Sequence, residues 1–220
     1  MLSMLLLPSA KPDSYYQQSR ADFLDWVAPT GQRALDLGCG AGGLAPALRA
    51  RGFTYLAGVE LDPSAAAQAR PAYDLILAMS IDEALPLVSQ QFDVIVCADV
   101  LEHLQDPWSV LVQLRRVAHR DSVLAVSVPN IRHLSALLRI AVGKGFRYEE
   151  SGIFDSTHLR FFTREDTLRM LRDSGWTPVR IGAPPPGRFR RVRQFVRAVT
   201  RGWTCQWSAR QTWVVCVATP

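Results

Sequence analysis

The stretch ALDLGCGAGG, residues 34–43, places several glycines directly after a short apolar run. Gly38, Gly40 and Gly42 fit the spacing G-x-G-x-G. Counting Gly43 instead of Gly42 gives G-x-G-x-x-G, which is the spacing of dinucleotide-binding loops. In both cases a strand ends, the chain turns without side chains in the way, and a helix begins near Gly43 with its N–H groups facing a ligand. The glycines therefore predict a cofactor site without choosing the cofactor.

Two acidic residues bear on that choice. Asp36 lies just before the turn, where a carboxylate would repel a pyrophosphate, and the loop holds no lysine or arginine to offset it. S-adenosylmethionine has no phosphate and carries an ammonium and a sulfonium, so a nearby acid is electrostatically favourable. Glu60 follows 22 residues after Gly38, close to the ~20 at which a carboxylate binds ribose hydroxyls. Because both cofactors contain ribose, Asp36 is the residue that favours S-adenosylmethionine.

The elements that position these residues alternate along the chain. The apolar runs RALDL, YLAGVEL, DLILAM, FDVIVCA and SVLAVSVP are separated by helical patterns. Continuously apolar strands are buried on both faces, as in a parallel sheet covered by helices. TPVRIGA and QTWVVCVATP predict two more strands. Thr163 and Gly175 predict the start and end of a helix that precedes the first of these strands. The pattern predicts one doubly wound α/β domain over residues 1–220, since ~150 residues per domain is typical.

With these motifs the sequence resembles the class I S-adenosylmethionine-dependent methyltransferases over nearly its whole length. ALDLGCGAGG is similar to their first motif, GVELDP to their second, and FDVIVCADVLEHLQDP to their fourth-strand motif. SVPNIRHLSALL and FDSTHLRFFTRE resemble a bacterial subgroup often associated with glycan and natural-product modification. The resemblance implies a Rossmann-like seven-stranded sheet with helices on both faces and an antiparallel last strand. It also implies S-adenosylmethionine bound across the carboxyl ends of the first, second and fourth strands.

The expected cofactor contacts lie at these strand ends and in a leading helix, residues 1–30, that covers the cofactor in the resembling enzymes. The cofactor-binding residues that we expect are Asp36, Gly38, Cys39, Gly40, Gly42, Glu60, Leu61, Ser80, Ile81, Ala98, Asp99, Tyr16 and Arg20. For Tyr16 and Arg20 the alternative is simple packing of an amphipathic helix. After the third strand such enzymes often carry an acid that accepts from the adenine amino group, but here the chain reads LAMSIDEA. Apolar packing and backbone groups, or Asp82, are expected to hold the adenine.

The chemistry places few demands on the protein. Methyl transfer from a sulfonium is an in-line displacement, but a hydroxyl acceptor must also lose its proton to a nearby base. His158 is the first candidate base, because it falls in a predicted substrate lid, residues 130–163, with Asp155 three residues before it to orient the imidazole. The alternative is that His158 pins the loop. His103 follows the fourth strand and either faces the cleft or braces the loop.

Glu102 and the cysteines are not expected to take part in the methyl transfer itself. Glu102 is expected to bind a cation such as Arg160, or to be a charge at a helix start. Cys39 and Cys97 are embedded in motifs where a small side chain packs under the cofactor, so neither is expected to be a nucleophile. The four cysteines show no CxxC pair and no metal-ligand spacing with histidine. The sequence therefore predicts reduced thiols and no metal site.

Composition limits the setting and the partners. The chain has 220 residues, 48% of them hydrophobic and 20% charged, and a net charge of +5. No apolar stretch approaches the ~20 residues of a membrane span, and no basic leader precedes the apolar patch near the N-terminus, so a cytoplasmic location is expected. Residues 188–201 carry six arginines and no acid. A solvated helix face explains them most simply, an anionic membrane surface is the next interpretation, and nucleic acid is third.

These observations predict a methyltransferase that transfers a methyl group to the hydroxyl of a small molecule or glycan. The alternatives are an RNA methyltransferase and a non-catalytic cofactor-binding partner protein. N-methylating enzymes often carry (D/N/S)PP(Y/F) after the fourth strand, whereas this chain has ADVL. The motif therefore disfavours RNA, and the sequence carries no indication of oligomeric state.

Overall fold

The computed structural model describes residues 21–28, 31–143, 145–184 and 205–219. Its strands are β1 Arg33–Leu37, β2 Tyr55–Glu60, β3 Leu75–Ala78, β4 Phe92–Ala98, β5 Ala118–Pro129, β6 Trp176–Gly182 and β7 Gln211–Ala218. Its α-helices are α1 Ala21–Leu24, α2 Ala45–Ala50, α3 Pro63–Ala69, α4 Ile81–Ala84, α5 Pro107–Leu114, α6 Leu134–Ala141, α7 Arg164–Asp173 and α8 Cys205–Ser208. Tyr16, Arg20 and the arginine-rich residues 188–201 lie outside the described residues.

The strands form one seven-stranded sheet in the order β3-β2-β1-β4-β5-β7-β6. The pairs from β3 to β5 are parallel, whereas β7 is antiparallel to both of its neighbours, β5 and β6. This confirms the predicted Rossmann-like sheet with an antiparallel last strand. From β1 the chain first moves outward through β2 and β3 and then returns to place β4 on the other side of β1. Ligands of open α/β sheets bind at the carboxyl edge where the order reverses in this way.

The central strands are buried on both faces, as the continuous apolar runs predict. In β1, Leu35 and Leu37 join the hydrophobic core on one side of the sheet, and Ala34 joins the core on the other. In β4, Ile95 joins the same core as Leu35, and Val94 joins the same core as Ala34. Burying apolar surface on both faces stabilises the sheet interior by roughly 25 cal/mol per Å². It also leaves the polar strand ends as the places where chemistry can occur.

Local sequence signals fix the ends of the helices. Thr163 caps α7 by accepting a hydrogen bond from Asp166 N–H, and the Asp166 carboxylate accepts in return, while Gly175 follows the helix with a φ of 81°. Both predicted ends of this helix are therefore borne out by the contacts. The helix after the glycine loop begins at Ala45, two residues later than expected, because residues 40–44 form turns.

The segment predicted as a lid, residues 130–163, leaves the sheet after β5 and returns to it before α7. Its two ends meet where Ile131 N–H donates to the Phe162 carbonyl at 3.0 Å. Near its return, the N–H groups of Leu159 and Arg160 donate to the Glu102 carbonyl at 2.8 and 3.0 Å. Of α6, only Ala136 is buried, and several large apolar side chains are exposed. No helix in the described ranges has the length and apolar character needed to cross a membrane.

Trp176 offers a test of how β6 is attached to the core. Its side chain is fully buried, its Nε1–H donates to the Leu111 carbonyl at 2.9 Å, and the Arg115 guanidinium lies over its ring. We expect Trp176→Phe to lower the free energy of unfolding by about 1–3 kcal/mol, because it leaves a gap and removes a buried hydrogen bond. Denaturant unfolding of the purified variants measures this. Trp108→Phe, at a position 42% exposed, is the control and should change stability by less than about 0.5 kcal/mol. Equal effects of both substitutions would contradict this account.

Candidate active site

The glycine loop after β1 adopts a backbone that only glycine accepts easily. Gly38 and Gly40 have φ values of 65° and 54°. A Cβ at Gly38 would also lie 2.8 Å from Cγ2 of Val100, in the segment after β4. Because both strain and space exclude a side chain there, the loops after β1 and β4 pack directly against each other. The predicted bare turn is thus present, and it forms one wall of a cleft at the carboxyl edge.

Glu60, the last residue of β2, holds this loop in place. Its carboxylate accepts hydrogen bonds from the N–H groups of Gly40 and Asp62, each at 2.8 Å. Each bond goes to a different oxygen, so each oxygen keeps acceptor capacity for a hydroxyl. The carboxylate is nearly buried at 8% exposure. It is therefore a fixed acceptor pair at the mouth of the cleft.

Asp36, in β1, is a second buried carboxylate, 1% exposed. The Tyr73 hydroxyl donates to it at 2.5 Å. Burial raises the pKa of Asp36 to about 7, the Tyr73 hydrogen bond opposes this rise, and the nearby Glu60 adds to it. Burial and the Asp36 charge raise the pKa of Tyr73, so its hydroxyl remains a donor. A buried acid with so perturbed a pKa is typical of a functional site.

Tyr73 was missed by the sequence analysis. It lies on the connection before β3, where no motif surrounds it. Its ring would be 3.3 Å from a Cβ at Gly42 and 3.2 Å from one at Gly58, so it fills the space beneath the glycine loop. No local pattern indicates such a contact, because it joins residues 37 positions apart.

Asp99 directly follows β4 and is strongly held by its neighbours. It is the one non-glycine residue of the described chain with a positive φ, 56°. Its N–H donates to the Ser127 carbonyl, and its carboxylate accepts from the Ser127 hydroxyl at 2.8 Å. The Gln211 amide donates to both Asp99 carboxylate oxygens, at 2.9 and 2.7 Å. Asp99 therefore joins the ends of β4, β5 and β7.

The other predicted cofactor residues surround the same edge. Cys39 is buried, and burial together with the Asp36 charge raises the pKa of its thiol, so it is no nucleophile near neutral pH. Ser80 caps α4 in a reciprocal arrangement with Glu83. Ile81 is buried and Ala98 is half-buried, whereas Leu61 is 70% exposed. Of these residues, Leu61 is therefore the one whose side chain lies mostly in solvent.

Two histidines and a glutamate converge beside this cleft. His103 and Glu102 lie in a 3-10 turn, Leu101–His103, after β4, and His158 comes from the lid segment. The two imidazole rings are 4.8 Å apart in an edge-to-face arrangement, and His158 Nε2 lies 4.0 Å from Glu102 Oε1. Burial lowers the pKa of His103, and the neighbouring His158 lowers it further. The structure therefore joins two candidate catalytic histidines that are 55 residues apart in the sequence.

The predicted partners of these groups are arranged differently. The Asp155 carboxylate accepts from the N–H and the hydroxyl of Thr157, at 2.8 and 2.7 Å, and so shapes the turn that carries His158. The Arg160 guanidinium, expected to pair with Glu102, donates to the Gln105 carbonyl and lies over the Trp108 ring.

Comparison with known proteins identifies the chain. Residues 11–181 match the family described as "Methyltransferase domain". The chain belongs to this methyltransferase family. The ubiquinone biosynthesis O-methyltransferase of Thiobacillus denitrificans is 30% identical over 177 residues, covering 75% of this chain and 73% of the relative. The enzyme of the same name from Neisseria meningitidis is 27% identical over 168 residues, covering 71% and 68%. A SAM-dependent methyltransferase structure from Archaeoglobus fulgidus superposes with a TM-score of 0.69 at 15% identity, covering 93% and 97% of the two chains, and shares the fold.

The methyltransferase uses S-adenosylmethionine as its cofactor. The chemistry of the donor set in the cleft fits this molecule. Asp36 and Glu60 are both buried carboxylates beside the glycine loop, so they attract an ammonium or sulfonium and accept from ribose hydroxyls. The Glu60 carboxylate, together with Asp36 once it is ionised above about pH 7, would repel a pyrophosphate.

The raised pKa of Asp36 predicts a pH-dependent cost in stability. In the folded methyltransferase Asp36 holds its proton up to about pH 7, whereas in the unfolded chain it releases the proton near its ordinary pKa of 3.8. The folded state therefore binds more protons between these values, and its stability falls as the pH rises through this window. We expect Asp36→Asn, which keeps an acceptor for Tyr73, to become more stable than the wild type by roughly 1–4 kcal/mol at pH 8, with little difference at pH 4.

Thermal unfolding of both proteins from pH 4 to pH 8 measures this difference. Asp82→Asn is the matched control, because Asp82 is an exposed acid in α4, and its difference from the wild type should stay flat. A flat difference for Asp36→Asn as well would show that Asp36 is ionised at low pH in the folded chain.

Proposed function

We propose that this methyltransferase transfers the methyl group of S-adenosylmethionine to a hydroxyl of a small molecule. The observation that carries the proposal is the convergence of His103, His158 and Glu102 at the end of β4, beside the glycine loop. A hydroxyl must lose its proton as it is methylated, so polar groups that activate it have to be near the cofactor. Relatives named as O-methyltransferases support the same reaction class.

The cofactor side of the cleft is formed by the residues at the ends of β1 and β2. We propose that Glu60 accepts from the ribose hydroxyls, that Asp36 faces the amino acid moiety, and that the glycine loop lets the backbone approach. When bound, S-adenosylmethionine supplies a methyl group made electrophilic by its sulfonium. Ser80 and Ile81, with their apolar and backbone surfaces at the start of α4, are proposed to border the adenine.

The acceptor side is formed by the 3-10 turn after β4 and by the lid. We propose that residues 130–163 are a substrate lid, that His103 and His158 activate the acceptor hydroxyl, and that Asp155 positions His158 through the turn it shapes. The hydrogen bonds from Leu159 and Arg160 to the Glu102 carbonyl support this arrangement. They hold the return of the lid against the segment that follows β4, so the acceptor would be positioned relative to the cofactor by the backbone.

A panel of acceptors tests the reaction class. We expect purified enzyme to convert S-adenosylmethionine to S-adenosylhomocysteine in the presence of phenolic or catecholic acceptors, and to transfer labelled methyl to their oxygen. Primary amines, a reducing-end glycan and transfer RNA are the comparison acceptors. Methyl transfer to RNA or to an amine, with none to a hydroxyl, would refute the O-methyltransferase proposal.

Glu60 provides the test of the cofactor assignment. We expect Glu60→Gln to weaken binding of S-adenosylmethionine and S-adenosylhomocysteine by about 10-fold or more, because hydrogen bonds to a charged group contribute about 1.5–3 kcal/mol. Calorimetric titration measures the dissociation constants, and NADH should not bind. Glu165→Gln, at an exposed position in α7, is the control and should bind as the wild type does. Equal affinities in the wild type and Glu60→Gln would place the ribose elsewhere.

A further inference from the structure

We propose that Glu102, His103 and His158 form a binding site for one divalent transition-metal ion, which holds the acceptor hydroxyl. The catalytic part of this inference rests on the proposed function, whereas the ion-binding part stands on the geometry alone. The sequence analysis predicted no metal site, and His158 lies 55 residues from His103 along the chain.

The distances suit a site that closes around an ion. One ring nitrogen of each histidine and one carboxylate oxygen of Glu102 lie within 4.8 Å of one another. Ligand atoms that share an ion at ~2.1 Å are separated by roughly 3–3.5 Å. The most distant of these atoms would therefore approach by roughly 1.3–1.8 Å, which side-chain rotations can supply.

The hydrogen bonds of the two histidines indicate which ring nitrogen carries the proton. His103 Nδ1 lies 3.1 Å from the Thr157 carbonyl, and His158 Nδ1 lies 3.1 Å from the Ile153 carbonyl. A carbonyl only accepts, so each Nδ1 is the donor and the lone pair of each neutral ring is on Nε2. Metal-ligating histidines almost always donate their other N–H in this way, which fixes the ring and its tautomer.

The backbone holds the three groups together without an ion. Glu102 and His103 are consecutive in one turn, and the Glu102 carbonyl accepts from the N–H groups of Leu159 and Arg160, which follow His158. Sites whose ligands are positioned by rigid supporting contacts bind without a large ordering cost. The backbone therefore holds Glu102 and His103 close to His158 before any ion binds.

The donor set defines the class of ion. Two imidazoles and one carboxylate suit Zn²⁺, Co²⁺, Fe²⁺ or Mn²⁺, whereas Mg²⁺ prefers oxygen ligands and water. Glu102 is 1% exposed and His158 is 6% exposed, so a bound cation would be largely shielded from water. His103 is half-buried and marks the open side, where an acceptor oxygen would complete the coordination.

The ion changes how the hydroxyl is activated. A hydroxyl oxygen bound to the cation has a lowered pKa, as bound water does. Its O–H bond breaks, the electron pair stays on the oxygen, and the proton passes to solvent water. His158 is then a ligand, and the sequence-based expectation that it is the general base is replaced.

The test uses the full chain, stripped of metal with EDTA and dialysed. Titration with Zn²⁺ against a chromogenic chelator should show one ion bound per chain, and titration with Co²⁺ should give the visible absorption of nitrogen-ligated Co²⁺. Mg²⁺ should not compete. We expect Glu102→Gln and His158→Gln each to weaken Zn²⁺ binding by about 100-fold. Because a buried substitution can prevent folding, His103→Gln at the half-buried position is a third variant, and circular dichroism checks each one.

His133→Gln is the matched control. His133 caps α6, with its Nδ1 near Ser135, and lies outside the proposed site, so Zn²⁺ affinity should be unchanged. Absence of a Co²⁺ spectrum from the folded wild type, or equal Zn²⁺ affinity in all variants, would overturn the ion-binding proposal. If the ion binds but no hydroxyl is methylated, the proposed function fails and the metal site stands. If the metal-free enzyme methylates hydroxyls as fast as the Zn²⁺ or Co²⁺ form, the catalytic role of the ion is wrong.

Discussion

The site depends on one constraint, the reversal of strand order between β1 and β4. These two strands are parallel neighbours, but the chain that leaves them travels to opposite sides of the sheet. Open α/β sheets bind ligands at this point of the carboxyl edge, and here the loops after β1 and β4 meet through Gly38 and Val100. The Glu60 carboxylate fixes one loop and the Asp99 network fixes the other. The loops after β1 and β4 are thus positioned by the same sheet edge.

The lid is connected to this edge by main-chain groups. The Glu102 carbonyl accepts hydrogen bonds from two N–H groups of residues 130–163, and His103 Nδ1 contacts the Thr157 carbonyl. A hydrogen bond to a backbone group survives changes of side chain on the rest of the lid. In the lid that we propose, the exposed part can vary with the acceptor while these main-chain bonds keep His158 beside the turn after β4.

The sequence predicted the fold better than the site, for physical reasons. The doubly wound α/β class follows from the apolar runs, and the ends of α7 follow from Thr163 and Gly175, because these signals are local. The antiparallel last strand was expected from the resemblance to the family. The Tyr73 contact with Asp36 and the meeting of His158 with Glu102 are not local, since tertiary packing alone brings them together. In the glycine motif, Asp36 favoured a cationic cofactor over a dinucleotide, and the methyltransferase family agrees with that choice. Outside the motif, residue types suggested that Glu102 pairs with Arg160, but the Arg160 guanidinium contacts the Gln105 carbonyl and the Trp108 ring instead.

The outer strands have a consequence for the behaviour of the protein at high concentration. Among the described strands the sheet ends at β3, which has four residues, and at β6, whose pairing with β7 is shifted between Pro178 and Arg180. A short edge, a proline and an irregular register each prevent a second sheet from adding in line. The molecule therefore carries its own protection against strand-by-strand aggregation while its large parallel sheet, which is slow to form, is being assembled.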